Sequence, residues 1–338
     1  MDRQNGTPEP APLERSAATR PPRFRFRTSL ETGIFIVFVI VWAIFLIGNP
    51  RVFTGFHIYY SLMSTIPFIG ILALSVTLVV VLGEIDLSFP SVVGVTSWVF
   101  ASVFALSHNL LLSAIACFGV GIAAGFVNAL LVVGIGIPSL VATIGTMFLF
   151  RGLTNVAAAG NGIALSTARG HFLYEVAVGR LFGLIPAQAL WMLGLGIAFW
   201  FLLNRHRFGG HLLFVGDNAE SARMMGINVN RVKTIAFVQV GFFSALVAIL
   251  STLEVTYFWP NQGTGYLMTG LAAVFVGGTS VFGGMGTILG TFLGALIIGS
   301  LEAGIVSIGL TGFWTQFIYG AIITVSVAIY ALLMRSRR

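Results

Sequence analysis

The sequence predicts an all-α fold, a polytopic membrane helical bundle of about ten transmembrane helices. Three observations predict it. The 338 residues are 57% hydrophobic and only 9% charged, with a mean hydropathy of +0.96, whereas average soluble domains carry about 25% charged residues. Apolar runs recur at the length of roughly 20 residues that a bilayer core demands. The cations cluster between those runs: 14 of the 18 Lys/Arg lie in residues 1–27, in the island Asn204–Lys233, or in Arg335, Arg337 and Arg338. The 41 glycines suit helices packed closely in lipid.

In chain order, residues 1–30 form a polar arm with Pro8, Pro10, Pro12, Pro21 and Pro22, which reads as a disordered N-terminal segment. The remainder, 31–338, reads as the transmembrane domain. Spans are expected near 32–48, 60–82, 90–107, 111–134, 139–159, 183–203, 234–255, 266–282, 286–309 and 314–334. Six precede the island and four follow it. An even count places the basic arm, island and tail on one side, the cytoplasmic side by the positive-inside rule. Asn161–Arg180 is then an outside loop. The first apolar run follows too long a polar region, with no small-residue cleavage site, to read as a removable signal. Gly286, Gly290 and Gly294, and also Gly121 and Gly125, are spaced for close helix packing. VLGEIDLSFPSVVGV weakly echoes VFVGGTSVFGGMGTI.

Several function classes fall away. The net charge of +7 belongs to span flanks, so nucleic acid is not an expected partner. Cys117 is single and cannot form an internal disulfide. The five histidines are dispersed, so no metal site is expected. A phosphate-binding GxxxxGK[ST] loop is absent: the only lysine, Lys233, precedes Thr234, but Ile227 and Val232 stand where glycines are needed.

The polar groups that could line a pathway are few. Glu84, Asp86 and Ser88 interrupt two apolar runs, and acids at membrane depth invite a functional reading. Gly83 would end one helix, Asp86 or Ser88 would cap the next, and Pro90 would fall in its first turn. Capping and substrate contact both fit. Ser139, Thr143 and Thr146 share one helical face, and Asn128 sits mid-span; interhelical hydrogen bonding and pathway lining are both open to them. Glu254 and Glu302 fall near span ends. Arg151, also near a span end, is expected to snorkel to an interface. The island carries Ala219, Ala222, Met225, Gly226 and Ile227 at the spacing of a short docking helix.

Four segments together carry a resemblance: GEIDLS, IPSLVATIGTMFLFRGL, GDNAESARMMGINVNRVK and GGTSVFGGMGTILGTFLGALIIG. In this order, from about Tyr59 to Tyr330, the chain resembles the ribose-type permease subunits of ABC sugar importers. The resemblance implies a dimer with a second permease copy or paralogue in the bacterial inner membrane, with both termini cytoplasmic. It further implies an ABC ATP-binding subunit, which would hold ATP and Mg, and a periplasmic sugar-binding protein. No cofactor is expected in this chain, and no enzymatic activity of its own. Asp217, Asn218, Ala219, Glu220, Ser221, Ala222, Arg223, Gly226 and Ile227 correspond to the segment that couples to the ATPase. The expected pathway set is Glu84, Asp86, Ser88, Asn128, Ser139, Thr143, Glu254 and Glu302. Asp86-Leu87-Ser88 favours a neutral monosaccharide or polyol, with branched-chain amino acids or nucleosides as alternatives within the family. A secondary transporter is the alternative of another class. Departures from the family pattern stand at Glu84, Ala129, Leu267-Met268 and Glu302-Ala303, and these bear on substrate and contacts.

Overall fold

The computed structural model describes residues 25–321, 323 and 324. Helix α1 spans Arg25–Gly48, so helix begins inside the arm expected at 1–30; residues 1–24 lie outside the described residues. After the one-turn α2, Pro50–Phe53, come α3, Phe56–Val81, and α4, Phe89–Ser107. Helix α5, Leu110–Ala129, runs on through a π-helical stretch, Leu130–Ile135, and is followed by α6, Ser139–Ala158. A small outer assembly follows: β1, Ile163–Ala164; the short α7, Phe172–Val178; and a tight hairpin of β2, Arg180–Leu181, with β3, Ile185–Pro186. Helix α8, Ala187–Asn204, leads into the island, which folds as α9, Arg207–Asp217, and α10, Ala219–Met224. Then come α11, Val229–Val255; β4, Tyr257–Phe258, antiparallel to β1; α12, Tyr266–Val276; and α13, Ile288–Ser307.

Eight helices are long and apolar enough to cross a membrane, among the described residues. The expected span at 266–282 is corrected: α12 stops at Val276 and 277–287 are not helical. Hydropathy could not show this, because VFVGGTSVFGG stays apolar while its glycines abandon the helix. The expected span at 314–334 falls largely outside the described residues; 313–321 are helical.

Helix α3 is the axis of the bundle. Every residue from Gly70 to Leu82 is buried, and α8, α11, α12 and α13 pack around it. Helix α1 lies at the periphery with Phe35, Ile36, Val39, Ile40 and Ile47 exposed, as a helix facing lipid requires. The glycine pairs act in packing. A Cβ at Gly121 would lie 2.5 Å from the Gly241 carbonyl oxygen, and one at Gly125 2.6 Å from that of Phe237, so α5 meets α11 backbone to backbone. Gly294 does the same for α13 against Ala273 of α12, and Gly290 against Gly277, which caps that helix.

Three polar side chains shape the island end. His206, Asn218 and Asn228 each accept a backbone N–H at the start of α9, α10 and α11, from Phe208, Ser221 and Arg231. Gly226, at φ +80°, closes α10. The Ile227 N–H donates to the Ala222 carbonyl and that of Gly226 to Arg223, the paired bonds of a Schellman cap. Between α9 and the β2–β3 hairpin stands α8, whose 18 residues span about 27 Å at 1.5 Å per residue. The molecule thus has an island end and a far end.

Candidate functional site

The two echoing segments are both helix–break–helix units, and they end their first helices in the same way. At the end of α3, the Glu84 N–H reaches the Val79 carbonyl and that of Gly83 reaches Val80. At the end of α12, the Thr279 N–H reaches Val274 and that of Gly278 reaches Phe275. Gly83 and Gly278 take the positive φ, +77° and +78°, that this cap needs.

The first break, residues 82–88, is held by a closed polar cluster. Asp86 is 1% exposed and Ser88 is fully buried. The Asp86 Oδ1 accepts from the Ser88 N–H at 2.8 Å and from its hydroxyl at 2.7 Å. Asn128 of α5 donates to the Ser88 Oγ at 2.7 Å and, at 3.4 Å, to the Asp86 Oδ2. Its own Oδ1 accepts from Thr146 of α6 at 2.6 Å. Two further residues of α6 grip the backbone of the break: the Ile85 N–H donates to the Ser139 Oγ, and Thr143 donates to the Ile85 carbonyl. Five of the expected pathway residues, Asp86, Ser88, Asn128, Ser139 and Thr143, are therefore brought together with Thr146, and they fix α3–α4 to α5 and α6. Asp86, rather than Ser88, supplies the side-chain acceptor ahead of α4; Ser88 makes no side-chain bond to an N–H of that helix.

Glu84, at the island end of this break, forms an ion pair with Lys233, in the second turn of α11. The chain's single lysine is thus committed to the first break. Glu254 sits elsewhere, near the far end of α11, in an ion pair with Arg180 of β2. Gln188 of α8, fully buried, donates to Glu254 at 2.8 Å, and Arg180 donates to the Tyr60 hydroxyl at 2.6 Å. Burial lowers the Arg180 pKa, but its bonds and charge interactions with Glu254 and Tyr60 outweigh that and leave it above the ordinary value. Glu302 is exposed on α13, apart from both clusters.

Arg151 corrects another expectation. It does not reach out to an interface but turns inward, donating to the carbonyls of Pro260, Gln262 and Pro90 at 3.0–3.2 Å. Along α6 it lies twelve residues from Ser139, about 18 Å. The segment between β4 and α12 is therefore drawn into the bundle and pinned beside the start of α4. Helix α12, of 11 residues, follows this pinned segment.

In the island, the expected docking face is turned. Ala222 is fully buried against the core and Ala219 is half-buried; Met224, Met225, Glu220, Ser221 and Arg223 are exposed. An alanine stripe at i, i+3 spacing cannot by itself tell an inward face from an outward one. Tyr60, Arg180, Gln188 and Lys233 were not read as site residues; the lone lysine and an arginine beside a predicted span end were the available signals. No cluster of three or more His, Cys, Asp or Glu able to hold a metal occurs among the described residues.

Comparison with known proteins agrees with this architecture. The chain is 31% identical to the ribose import permease protein RbsC of Escherichia coli (strain K12) over 302 residues, which is 89% of this chain and 93% of that one. It is 32% identical to the RbsC of Bacillus subtilis (strain 168) over 297 residues, 87% and 89% of the two chains. The autoinducer 2 import system permease protein LsrC of Yersinia enterocolitica (serotype O:8 / biotype 1B) is 32% identical over 274 residues, 81% and 75%. No solved structure matches significantly. Residues 58–327, from α3 past α13, match the family described as branched-chain amino acid transport system / permease component, and the chain belongs to that family.

Proposed function

We propose that this chain is the permease subunit of an ATP-driven ABC importer for a neutral monosaccharide or polyol. In this reading it lies in the bacterial inner membrane with both termini cytoplasmic, because residues 1–27, the island and the tail carry 14 of its 18 cations. The energy comes from a separate ABC subunit that binds ATP and Mg. A periplasmic binding protein delivers the substrate, and a second permease copy or paralogue completes the pathway. The observation that carries the reading is the exposed end of α10: Met224 and Met225, the last residue of the helix and its C-cap, are exposed after Arg223 on a capped helix pair seated beside the first break. Exposed methionines on a short rigid helix suit insertion into a partner's groove. Import of ribose and of autoinducer 2 by the relatives supports a polyhydroxylated substrate. Neutrality is supported by Glu84 and Glu254 being paired and Asp86 being hydrogen-bonded, which leaves none of these three acids to meet a charged substrate.

The mechanism is alternating access. Closure of the two ATP-binding subunits displaces α9–α10, the breaks at 82–88 and 277–287 shift, and the pathway opens to the other side. The test is co-purification with a co-expressed ABC ATP-binding subunit of the same organism, followed by sugar-stimulated ATP hydrolysis in liposomes. Glu at both Met224 and Met225 is expected to abolish co-purification while leaving the detergent melting curve unchanged. ATP hydrolysis by the purified chain alone, or uptake driven by a proton or sodium gradient without ATP, would refute the proposal.

A further inference from the structure

We propose that Gly216 is the residue through which the island helix pair moves both helix breaks at once; this rests on the reading that α9–α10 docks an ATPase. Gly216 is the penultimate residue of α9. A Cβ there would collide with the Val81 carbonyl oxygen, at the end of α3, and would lie 2.6 Å from the Gly284 nitrogen in the second break. The closest approaches are all backbone against backbone. A Cβ on Gly283 would be 2.7 Å from the Gly216 carbonyl oxygen and 2.8 Å from the Cα of Gly83, and one on Gly284 would be 3.1 Å from the Cα of Asp217.

The breaks are also bonded to one another. The Gly284 N–H donates to the Val81 carbonyl at 2.9 Å, one of the carbonyls that the end of α3 leaves without a helical partner. Gly283 and Gly284 sit at φ +81° and +72°. The Glu84–Lys233 ion pair ties the same break to the start of α11, the helix that leaves the island. Interfaces with no side chain between backbones have little slack to absorb displacement. A shift of α9 is therefore passed to 82–84 and 283–284 together instead of being taken up by rotamers. This gives the two echoing units a common input, so they switch as a pair.

The test is Gly216→Ala, with Gly210→Ala on the same helix as control, since a Cβ at Gly210 meets nothing within 4 Å. Gly216→Ala is expected to keep cassette co-purification and to lose sugar-stimulated ATP hydrolysis and uptake; Gly210→Ala is expected to keep all three. Normal coupling in Gly216→Ala overturns the proposal. Lack of cassette binding by the unsubstituted chain overturns the functional reading first, and this proposal with it. A second readout covers misfolding of the alanine variant. Phe282, exposed and adjacent to Gly283, is changed to Cys in a chain whose only native thiol, Cys117, is buried. Maleimide labelling of Phe282→Cys is expected to change in rate when ATP is added to the assembled complex, while labelling of Phe313→Cys, exposed on the helical stretch after α13, is not. An ATP-independent rate at position 282 overturns the proposal.

Discussion

Replacing Asp86 separates a structural role from a substrate role. The carboxylate faces three donors: the Ser88 N–H, the Ser88 hydroxyl and, at longer range, an Asn128 amide hydrogen. Asp86→Asn preserves the oxygen that takes both Ser88 bonds and turns an amide toward Asn128. Because Asn128 also donates to the Ser88 Oγ at 2.7 Å, the loss is confined to one long bond, about 1 kcal/mol. Asp86→Leu strips all the acceptors. The Ser88 N–H, the Ser88 hydroxyl and one Asn128 hydrogen then lose their buried acceptor, at about 1–3 kcal/mol each, or about 3–9 kcal/mol together. The three effects share a network and will not add cleanly. Paired assays read the outcome: melting in detergent for stability, and uptake in liposomes with the binding protein and ATPase for transport. The expectation is near-normal folding and uptake for Asp86→Asn, and a large fall in melting temperature and folded yield for Asp86→Leu. A stably folded Asp86→Asn variant that no longer transports would refute the reasoning, because the charge itself would then be required.

Two other substitutions follow from buried positions. Ala222→Trp forces an indole beneath α10, where Ala222 has no exposure; overpacking of this kind costs about 1–3 kcal/mol, so early proteolysis within 205–228 is expected, and an intact, protease-resistant island would show that the site has room. Arg151→Ala removes the donors to three carbonyls; with about 1–3 kcal/mol at stake for each buried acceptor left unpaired, a lower melting temperature and faster cleavage within 257–265 are expected, with Arg151→Lys intermediate. An unchanged melting curve for Arg151→Ala would show that the loop is held without it.

The bundle was legible because hydropathy, cation placement and length all bear on spans, and eight of the ten expected spans correspond to apolar helices within about five residues of their limits. The exceptions have local causes. Gly277, Gly278, Gly283 and Gly284 end a helix without lowering apolar content, so the short α12 was invisible to a hydropathy reading. Arg151 has the sequence context of an interfacial arginine, and only the loop from Pro260 to Gln262 explains its inward turn. The polar break at Glu84–Ser88 was visible as a break, but its partners lie 40–58 positions away, and no local pattern pairs Ser139 with Ile85 or Thr146 with Asn128. Small residues at Ala219 and Ala222 identified a helix face without giving its direction. The echo between the segments around Gly83 and Gly278 was faint as letters and is plain as matching caps.

The Glu84–Lys233 pair has a chemical consequence of its own. Lys233 is the only side-chain amine in the protein, and it is spent on an acid at a helix break. Acylation of a lysine removes its charge and its capacity to bridge a carboxylate. One covalent event at one atom would therefore release the first break from α11 without any change in sequence. The amine's reactivity, in turn, depends on whether that link is closed. The protein carries at this point a native chemical reporter of its own conformation.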